Sequence, residues 1–395
     1  MDRACPDHAE RGTILRQFEA VPLKRSTSMF TVALFGAGKI GEAIAALLAT
    51  SGRYTVKVCD CNNTAAAQIA RQWPNCSAHQ LNLDDKQDVK SILAGCAVVM
   101  SALPFSCNRV VAEVAAECGV HYADLTEDVK TSQFVSSLAA TANSWFMPQC
   151  GLAPGFISIA AAHLVTLFDS VDTLKLRVGA LPMFPTNKLK YSITWSTIGL
   201  INEYCNPCEV IRDGVITTVP PMQGQEIFSL DGDEYEAFNT SGGLGSLCHS
   251  LHGKVRQLGY KTIRYSGHRD LMSFLLHELR FTDHRDQLKE ILERSLPTTT
   301  QDKCIILVEA TGSIRGKSVQ KTYASTVYNQ SIAGVHFGAI QVTTAAGICG
   351  VVDLMLTGAL GQRKGFQKVE EIPLKAFLGN EFGKHYLDEK ALRDL

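Results

Sequence analysis

The residues with the clearest chemical purpose are Gly36-Ala37-Gly38-Lys39-Ile40-Gly41 and an acid, Asp60, 19 positions after the last glycine. Glycine at the first position permits a tight turn, at the third it lets the backbone approach a phosphate, and at the sixth it lets a helix pack closely on a strand. An acid at that distance accepts bonds from ribose hydroxyls. Together they form a grip for a dinucleotide, its pyrophosphate resting on a helix N-terminus. Cys61 and Asn62 follow Asp60 with no nearby cation for a 2′-phosphate, which favours NAD over NADP. Ser101-Ala102-Leu103-Pro104 ends a later apolar run and belongs to the same cofactor crevice.

This grip needs a strand, a turn and a helix in that order. Thr31 to Phe35 read as a buried parallel strand, and Ile40, Ile44, Leu47 and Leu48 recur at helical spacing as far as Ser51-Gly52. The alternation continues through strands at Tyr54–Cys59, Ser77–Leu83, Ala97–Met100, Val120–Asp124 and Ser144–Met147, separated by helical patterns. Six such strands predict a doubly wound parallel sheet, whose ligands sit outside the carboxyl ends of the strands. Beyond Cys150-Gly-Leu-Ala-Pro-Gly155 the pattern changes. Leu174–Val178, Tyr191–Trp195, Glu226–Leu230, Thr262–Tyr265, Cys304–Glu309 and Lys321–Val327 alternate polar with apolar, as antiparallel strands covered on one face do. Helices are expected over Arg269–Phe281 and Asp286–Leu296. Ala339 to Leu360 reads as an apolar helix returning to the first domain. The fold class expected is therefore α/β, a Rossmann-type doubly wound sheet with an inserted α+β substrate or dimerisation domain and a C-terminal return. The divisions are an extension over 1–28, the nucleotide domain over 29–150, the second domain over 151–330 and the returning helices over 331–395.

The charge, −1 from 38 basic and 39 acidic residues, contains no sustained basic run, so nucleic acid and membrane surfaces are poor partners. No signal-peptide core is evident in the first 28 residues, and a cytoplasmic location is expected. The 13 cysteines are then mostly reduced packing residues. Cys205-Asn-Pro-Cys208 has half the spacing of a zinc site but lacks a second pair, and Cys248-His-Ser-Leu-His252 reads as rim packing, so no metal is expected. Asn239-Thr-Ser-Gly-Gly-Leu-Gly245 lacks the Lys-Ser/Thr ending of a phosphate loop and reads as a pocket edge.

Taken in order, Ser101–Pro104, Tyr122-Ala-Asp-Leu-Thr-Glu-Asp128, Cys150–Gly155, Val178-Gly-Ala-Leu-Pro through Trp195, Thr262-Ile-Arg-Tyr-Ser-Gly-His268 and Thr343-Thr-Ala-Ala-Gly-Ile348 resemble the saccharopine dehydrogenase family. The likeness spans nearly the whole chain from Met29. It implies a nucleotide domain split by the substrate domain. It also implies oxidation of an amine at the lysine side-chain carbon, with hydride passing to nicotinamide and water opening the imine. Saccharopine, cleaved to L-glutamate and 2-aminoadipate 6-semialdehyde, is the leading substrate; direct lysine 6-oxidation is the alternative, and a non-catalytic NAD-binding regulator the reading from another class.

That chemistry requires a proton acceptor and cations for carboxylates. By its place in the matching segment Asp124 resembles the family's site acid, with Glu127 and His121 as second choices; the competing role for Asp124 is a helix N-cap. Arg264 is the expected carboxylate fork, assisted by His268. Lys188, Lys190 and Arg177 cluster near the Pro182–Trp195 segment and could hold further carboxylates, while Tyr191 and Trp195 could line the pocket. Several such cations would favour saccharopine, with three carboxylates, over lysine with one. The partner expected is a small amino-acid substrate, and an antiparallel sheet would suit a homo-oligomer.

Overall fold

A computed structural model describes residues 29–387. The extension expected over 1–28 lies outside the described residues. The first strand, β1 (Phe30–Phe35), is buried from Val32 onward, and Gly36 turns the chain at φ +105° into α1 (Lys39–Thr50), whose Ile44, Leu47 and Leu48 pack inward. β2 (Tyr54–Asp60) leads to α2 (Asn63–Gln72), where the Asn62 side chain accepts bonds from Thr64 and Ala65 N–H groups. β3 (Cys76–Gln80) and α3 (Lys86–Leu93) follow, the helix capped in the same way by Asp85. β4 (Val98–Ser101), α4 (Asn108–Cys118), β5 (His121–Asp124), α5 (Val129–Ala139) and β6 (Trp145–Met147) complete the alternation. These strands are parallel in the order β6-β5-β4-β1-β2-β3, so the direction of winding reverses between β1 and β4. A ligand crevice forms at that switch point.

The second region runs through α6 (Phe156–Val165), β7 (Ser170–Pro182), α7 (Thr197–Cys205), β8 (Cys208–Arg212), β9 (Val215–Val219), β10 (Glu226–Leu230) and β11 (Asp233–Asn239). It continues through α8 (Leu247–Leu251), β12 (Val255–Tyr265), α9 (His268–Ser273), α10 (Arg285–Ser295), β13 (Asp302–Ile314) and β14 (Lys317–Tyr328). The sheet order is β10-β11-β12-β7-β13-β14, with β8 and β9 attached to β12. It is mixed, because β7 and β12 pair in parallel. The chain leaving β7 passes through α7 and two hairpins and returns to the end where β7 began, so β12 starts beside Val171 and runs parallel to it.

Two local expectations fail for identifiable reasons. Tyr191–Trp195 is extended but joins no ladder: Asn187 Nδ2 donates to the Tyr191 carbonyl at 2.7 Å and Ile193 N–H donates to Pro297 O at 2.9 Å. The helix expected to reach Phe281 ends earlier, α9 passing into a π-helical turn over Phe274–Glu278.

After a small hairpin, β15 (Gln330–Ile332) with β16 (Val335–Phe337), α11 (Ala339–Leu356) packs on α1, and β17 (Gly365–Phe366) joins β6 as a seventh strand. α11 stops at Leu356, short of Leu360, where Gly358 takes φ +69°. Asp302 caps it, one carboxylate oxygen accepting from Ala339 N–H at 2.5 Å. α11 is long and apolar enough to cross a membrane, yet 83% of it is buried in this fold, as a core helix is.

Candidate active site

At the first turn, a Cβ on Gly41 would lie 1.9 Å from the Gly36 carbonyl oxygen, and one on Gly36 would lie 2.8 Å from that of Ala102. Helix, turn and the Ser101–Leu103 segment are therefore in backbone contact that any side chain would disrupt. Gly38, in contrast, faces open space with no atom within 4 Å of its would-be Cβ. As the N-cap of α1 it supplies no side chain to the first helical N–H groups, which stay available to a pyrophosphate. Asp60 Oδ2 accepts from Ala37 N–H at 2.7 Å and Oδ1 from Asn62 N–H at 2.8 Å, which fixes the carboxylate beside the turn. These features fit a dinucleotide. Lys39 takes part through its backbone, its carbonyl accepting from Gln341 Nε2 at 3.2 Å, and Ile40 contributes an apolar wall. Ser101 faces inward, fully buried, its hydroxyl donating to Asn108 Oδ1 at 2.7 Å, and Pro104 is exposed before the next turn.

A cavity of about 210 Å³ opens from Ile40, Ala102 and Leu103 toward the second sheet. Its floor is the Gly151–Pro154 loop, and its far wall carries Val178 and Ala180 of β7 with Tyr260, Thr262 and Arg264 of β12. Glu127 follows β5, and Glu203 reaches in from α7. The glycine loop closes one edge: a Cβ on Gly243 would lie 2.4 Å from the Tyr260 ring, and one on Gly242, at φ +88°, 3.3 Å from Glu127 Cβ.

Arg264 is 2% exposed and lines this cavity. Its Nε donates to the Tyr204 hydroxyl at 2.8 Å and Nη1 to the Ile263 carbonyl at 2.8 Å, with the Tyr191 ring 5.1 Å from the guanidinium carbon. Among the described residues no carboxylate lies within 4.0 Å of it. Burial opposes its charge, but Tyr204, Tyr191 and Glu203 more than offset that and raise its pKa, so it stays protonated. A buried guanidinium without a bonded counter-ion is costly unless a ligand anion completes it.

Glu203 and Glu127 are the acids that line the cavity with Arg264. Burial pushes Glu203 up to about 8, despite the lowering effect of Arg264 and with a further rise from Glu127. Burial also raises Glu127, and Asp124 and Asp128 add to it. Two interacting acids held above the ordinary range are suited to exchanging protons near neutral pH. Sequence reasoning missed Glu203. The signal was an acid within Thr197-Ile-Gly-Leu-Ile-Asn-Glu-Tyr-Cys205, where Thr197, Leu200, Ile201 and Tyr204 form a buried helical stripe.

Of the remaining anticipated residues Trp195 lines this cavity, and the others are not among its lining residues. Asp124, at the end of β5, is fully buried and points away from the cavity. Its Oδ1 accepts from the Thr126 and Gln149 N–H groups at 2.9 and 3.0 Å, and Oδ2 from the Tyr122 hydroxyl at 2.5 Å and Asn108 Nδ2 at 3.3 Å. Burial raises it to about 6 against those bonds. Nor is it a helix N-cap; Asp128 fills that role for α5, accepting from Thr131 N–H at 2.7 Å. His121 stacks on Trp145 and accepts from its backbone N–H at 3.0 Å.

His268 is 1% exposed, bonded to the Tyr204 hydroxyl at 3.0 Å and the Leu189 carbonyl at 2.8 Å. Burial and Arg264 depress it to about 3, so it is neutral; donation from Nδ1 to Leu189 leaves Nε2 to accept from Tyr204. Tyr191 sits under Arg264, its hydroxyl accepting from Trp195 Nε1 at 3.0 Å. Lys188 and Lys190 are exposed on a loop, Lys190 bonded to the Ser266 carbonyl at 3.1 Å. Arg177 points to the opposite face of the sheet, paired with Glu226 at 2.7 Å and Glu309 at 2.5 Å. The expected basic cluster thus does not form at the cavity; strand alternation and a loop carry it away. No cluster of His, Cys, Asp or Glu among the described residues could hold a metal.

Residues 32–148 match the family model of the saccharopine dehydrogenase NADP binding domain, and residues 151–389 that of the saccharopine dehydrogenase C-terminal domain. Among solved structures, apo saccharopine dehydrogenase (L-Glu forming) from Saccharomyces cerevisiae is similar at 15% identity and a TM-score of 0.73, over 89% of this chain and 96% of that one. This likeness shows a shared fold. A myo-inositol dehydrogenase from Corynebacterium glutamicum is more distant, at 12% identity and a TM-score of 0.41 over 90% of this chain and 95% of its own. With matched domains covering both the dinucleotide turn and the cavity facing it, the chain belongs to the saccharopine dehydrogenase family and is a nicotinamide-nucleotide oxidoreductase.

Proposed function

We propose that this protein is an NAD-dependent oxidoreductase of a CH–NH bond in lysine metabolism. Its substrate on this reading is saccharopine, cleaved to L-glutamate and 2-aminoadipate 6-semialdehyde. The observation that carries it is Arg264, a buried guanidinium without a carboxylate partner, lining a cavity that also receives Glu203 and Glu127. Arg264 takes a substrate carboxylate as a fork. Glu203 is placed to accept the amine proton, and Glu127 to hold the substrate ammonium or share that proton. When bound, the nicotinamide supplies the hydride acceptor at the end of the cavity walled by Ile40, Ala102 and Leu103. Asp124 serves indirectly, holding the backbone of Thr126 and Gln149 and hence the segment that presents Glu127. Preference for NAD over NADP rests on Asp60, whose charge opposes a 2′-phosphate, with Cys61 and Asn62 beside it.

A second reading is favoured by the cavity's composition. Among the described residues Arg264 is its one cation and stands with two acids, a balance that suits one carboxylate and a side-chain ammonium, as in direct lysine oxidation. Nucleotide reduction with saccharopine and with lysine, each under saturating NAD, separates the two. Turnover of saccharopine supports the first; turnover of lysine alone transfers the assignment to the second; reduction by neither removes both.

A further inference from the structure

The sheet that walls the active site carries a second cavity on its opposite face. Successive residues of a strand point to opposite sides, so while Val178, Tyr260 and Thr262 face the substrate cavity, Thr173, Lys175 and Arg177 of β7 and Gln257, Gly259 and Lys261 of β12 line the other. The register pairs Lys175 with Gly259 and Arg177 with Lys261. The hairpin of β8 and β9 brings Arg212 over this floor, and the enclosed volume is about 300 Å³.

Four cations converge here, and only two are neutralised. Arg177 binds Glu226 and Glu309, and Lys261 Nζ lies 2.5 Å from Glu226. Arg212 donates from Nη1 to the Ile211 and Leu258 carbonyls at 3.1 and 3.2 Å, and among the described residues neither it nor Lys175 has a carboxylate within 4.0 Å. Asp172 and Asp213 stand near the rim but are held by Arg256 at 2.6 and 2.9 Å. Gly259 makes room for the Arg212 guanidinium: a Cβ there would lie 3.5 Å from it, with nothing else within 4 Å. A glycine inside a strand weakens it unless something must approach closely, and here it sits beneath the unpaired cations.

We propose that this cavity binds a small oxyanion of phosphate or carboxylate chemistry, seated on Gly259 between Arg212 and Lys175. The guanidinium offers a planar fork, the ammonium a second charge, and the volume admits a small metabolite. This site is independent of the substrate assigned above, because none of its side chains enters the substrate cavity.

Calorimetric titration of the full chain with inorganic phosphate and, separately, with succinate at constant ionic strength tests it. Saturable binding of one or both is expected, and whichever binds names the source of the anion. Arg212→Gln and Lys175→Gln are each expected to weaken it at least about tenfold, the loss of one charge-assisted contact. Gly259→Val keeps every charge but fills the floor, and is expected to abolish binding while dinucleotide-dependent activity persists. Absence of saturable binding by both anions overturns the proposal. So does undiminished affinity in Gly259→Val, which would reduce the effect to diffuse attraction.

Discussion

The Tyr204 hydroxyl lies 3.0 Å from His268 Nε2, and through that bond a histidine buried behind the pocket governs how Arg264 is held. The hydroxyl donates to the imidazole and accepts from Arg264 Nε, so Leu189, His268, Tyr204 and Arg264 form one directed chain. On this geometry His268 is a positioning residue. His268→Phe is expected to raise KM for the amino-acid substrate several-fold, on the order of the loss of one neutral hydrogen bond that orients the Tyr204 hydroxyl on Arg264, with a smaller change in kcat. Because His268 is already neutral from about pH 3 upward, the pH profile of kcat/KM keeps its shape in the variant. Loss of an ionisation between pH 5 and 8 would instead give His268 a catalytic acid/base role.

Arg264→Lys preserves charge and removes the fork. A fall in kcat/KM of about ten- to a hundredfold is expected from loss of roughly 1.5–3 kcal/mol. NAD affinity, measured by fluorescence quenching, stays unchanged. An equal loss of NAD binding would show that Arg264 acts on the fold instead.

How far the sequence was readable depends on whether a role is local or assembled. The turn from Gly36 to Gly41 and its acid Asp60 were legible because strand, turn and helix are consecutive and each glycine answers a local constraint. Arg264 was legible through its motif. Arg177 was misplaced because a polar residue in an alternating pattern reads alike on either face, and only the pairing of β7 with β12 and β13 decides which face meets the cavity; Lys188 and Lys190 were misplaced because their segment is an exposed loop and not a strand. Asp124 illustrates the same ambiguity at a strand end, where an acid can point into a crevice or, as here, back into the sheet. Glu203 was invisible for a different reason. Its partners Arg264 and Glu127 stand about sixty and seventy-five positions away, and only the folding of α7 against β12 unites them.

Asp124→Asn is expected to act mainly on stability. Asn presents one donor group where the carboxylate accepts four bonds, so at least one donor loses its partner, at a cost of about 1–3 kcal/mol. Urea denaturation would register this as a lower midpoint with an unchanged slope. An unaltered midpoint together with total loss of turnover would instead make Asp124 the proton acceptor.

Asp60 is the residue on which the proposed choice of cofactor rests. The wild-type protein is expected to prefer NAD over NADP by at least about tenfold in kcat/KM, and Asp60→Ser with Cys61→Arg to reverse that order by giving a 2′-phosphate a cation. Equal use of both dinucleotides by the wild type would remove the role assigned to the Asp60 charge.

Glu203 links the chemistry to stability through one ionisation. Its pKa in the fold is about 8 against an ordinary 4.5, so the folded protein binds the proton more tightly than the unfolded chain. Its stabilising contribution is therefore complete below about pH 4.5 and is lost as pH rises through about 8. Glu203→Gln cannot ionise, so its Tm relative to wild type should climb between those two values and level off above the upper one. If Glu203 is the amine-proton acceptor proposed above, the same ionisation creates it, and wild-type kcat/KM for oxidation is expected to rise through about pH 8. Glu203→Gln loses that rise and about 10²–10⁴-fold in kcat, the usual worth of a general base. A variant that gains the alkaline Tm advantage but keeps both kcat and the pH rise would leave Glu203 a partly buried acid without a catalytic part, and Glu127 as the acceptor.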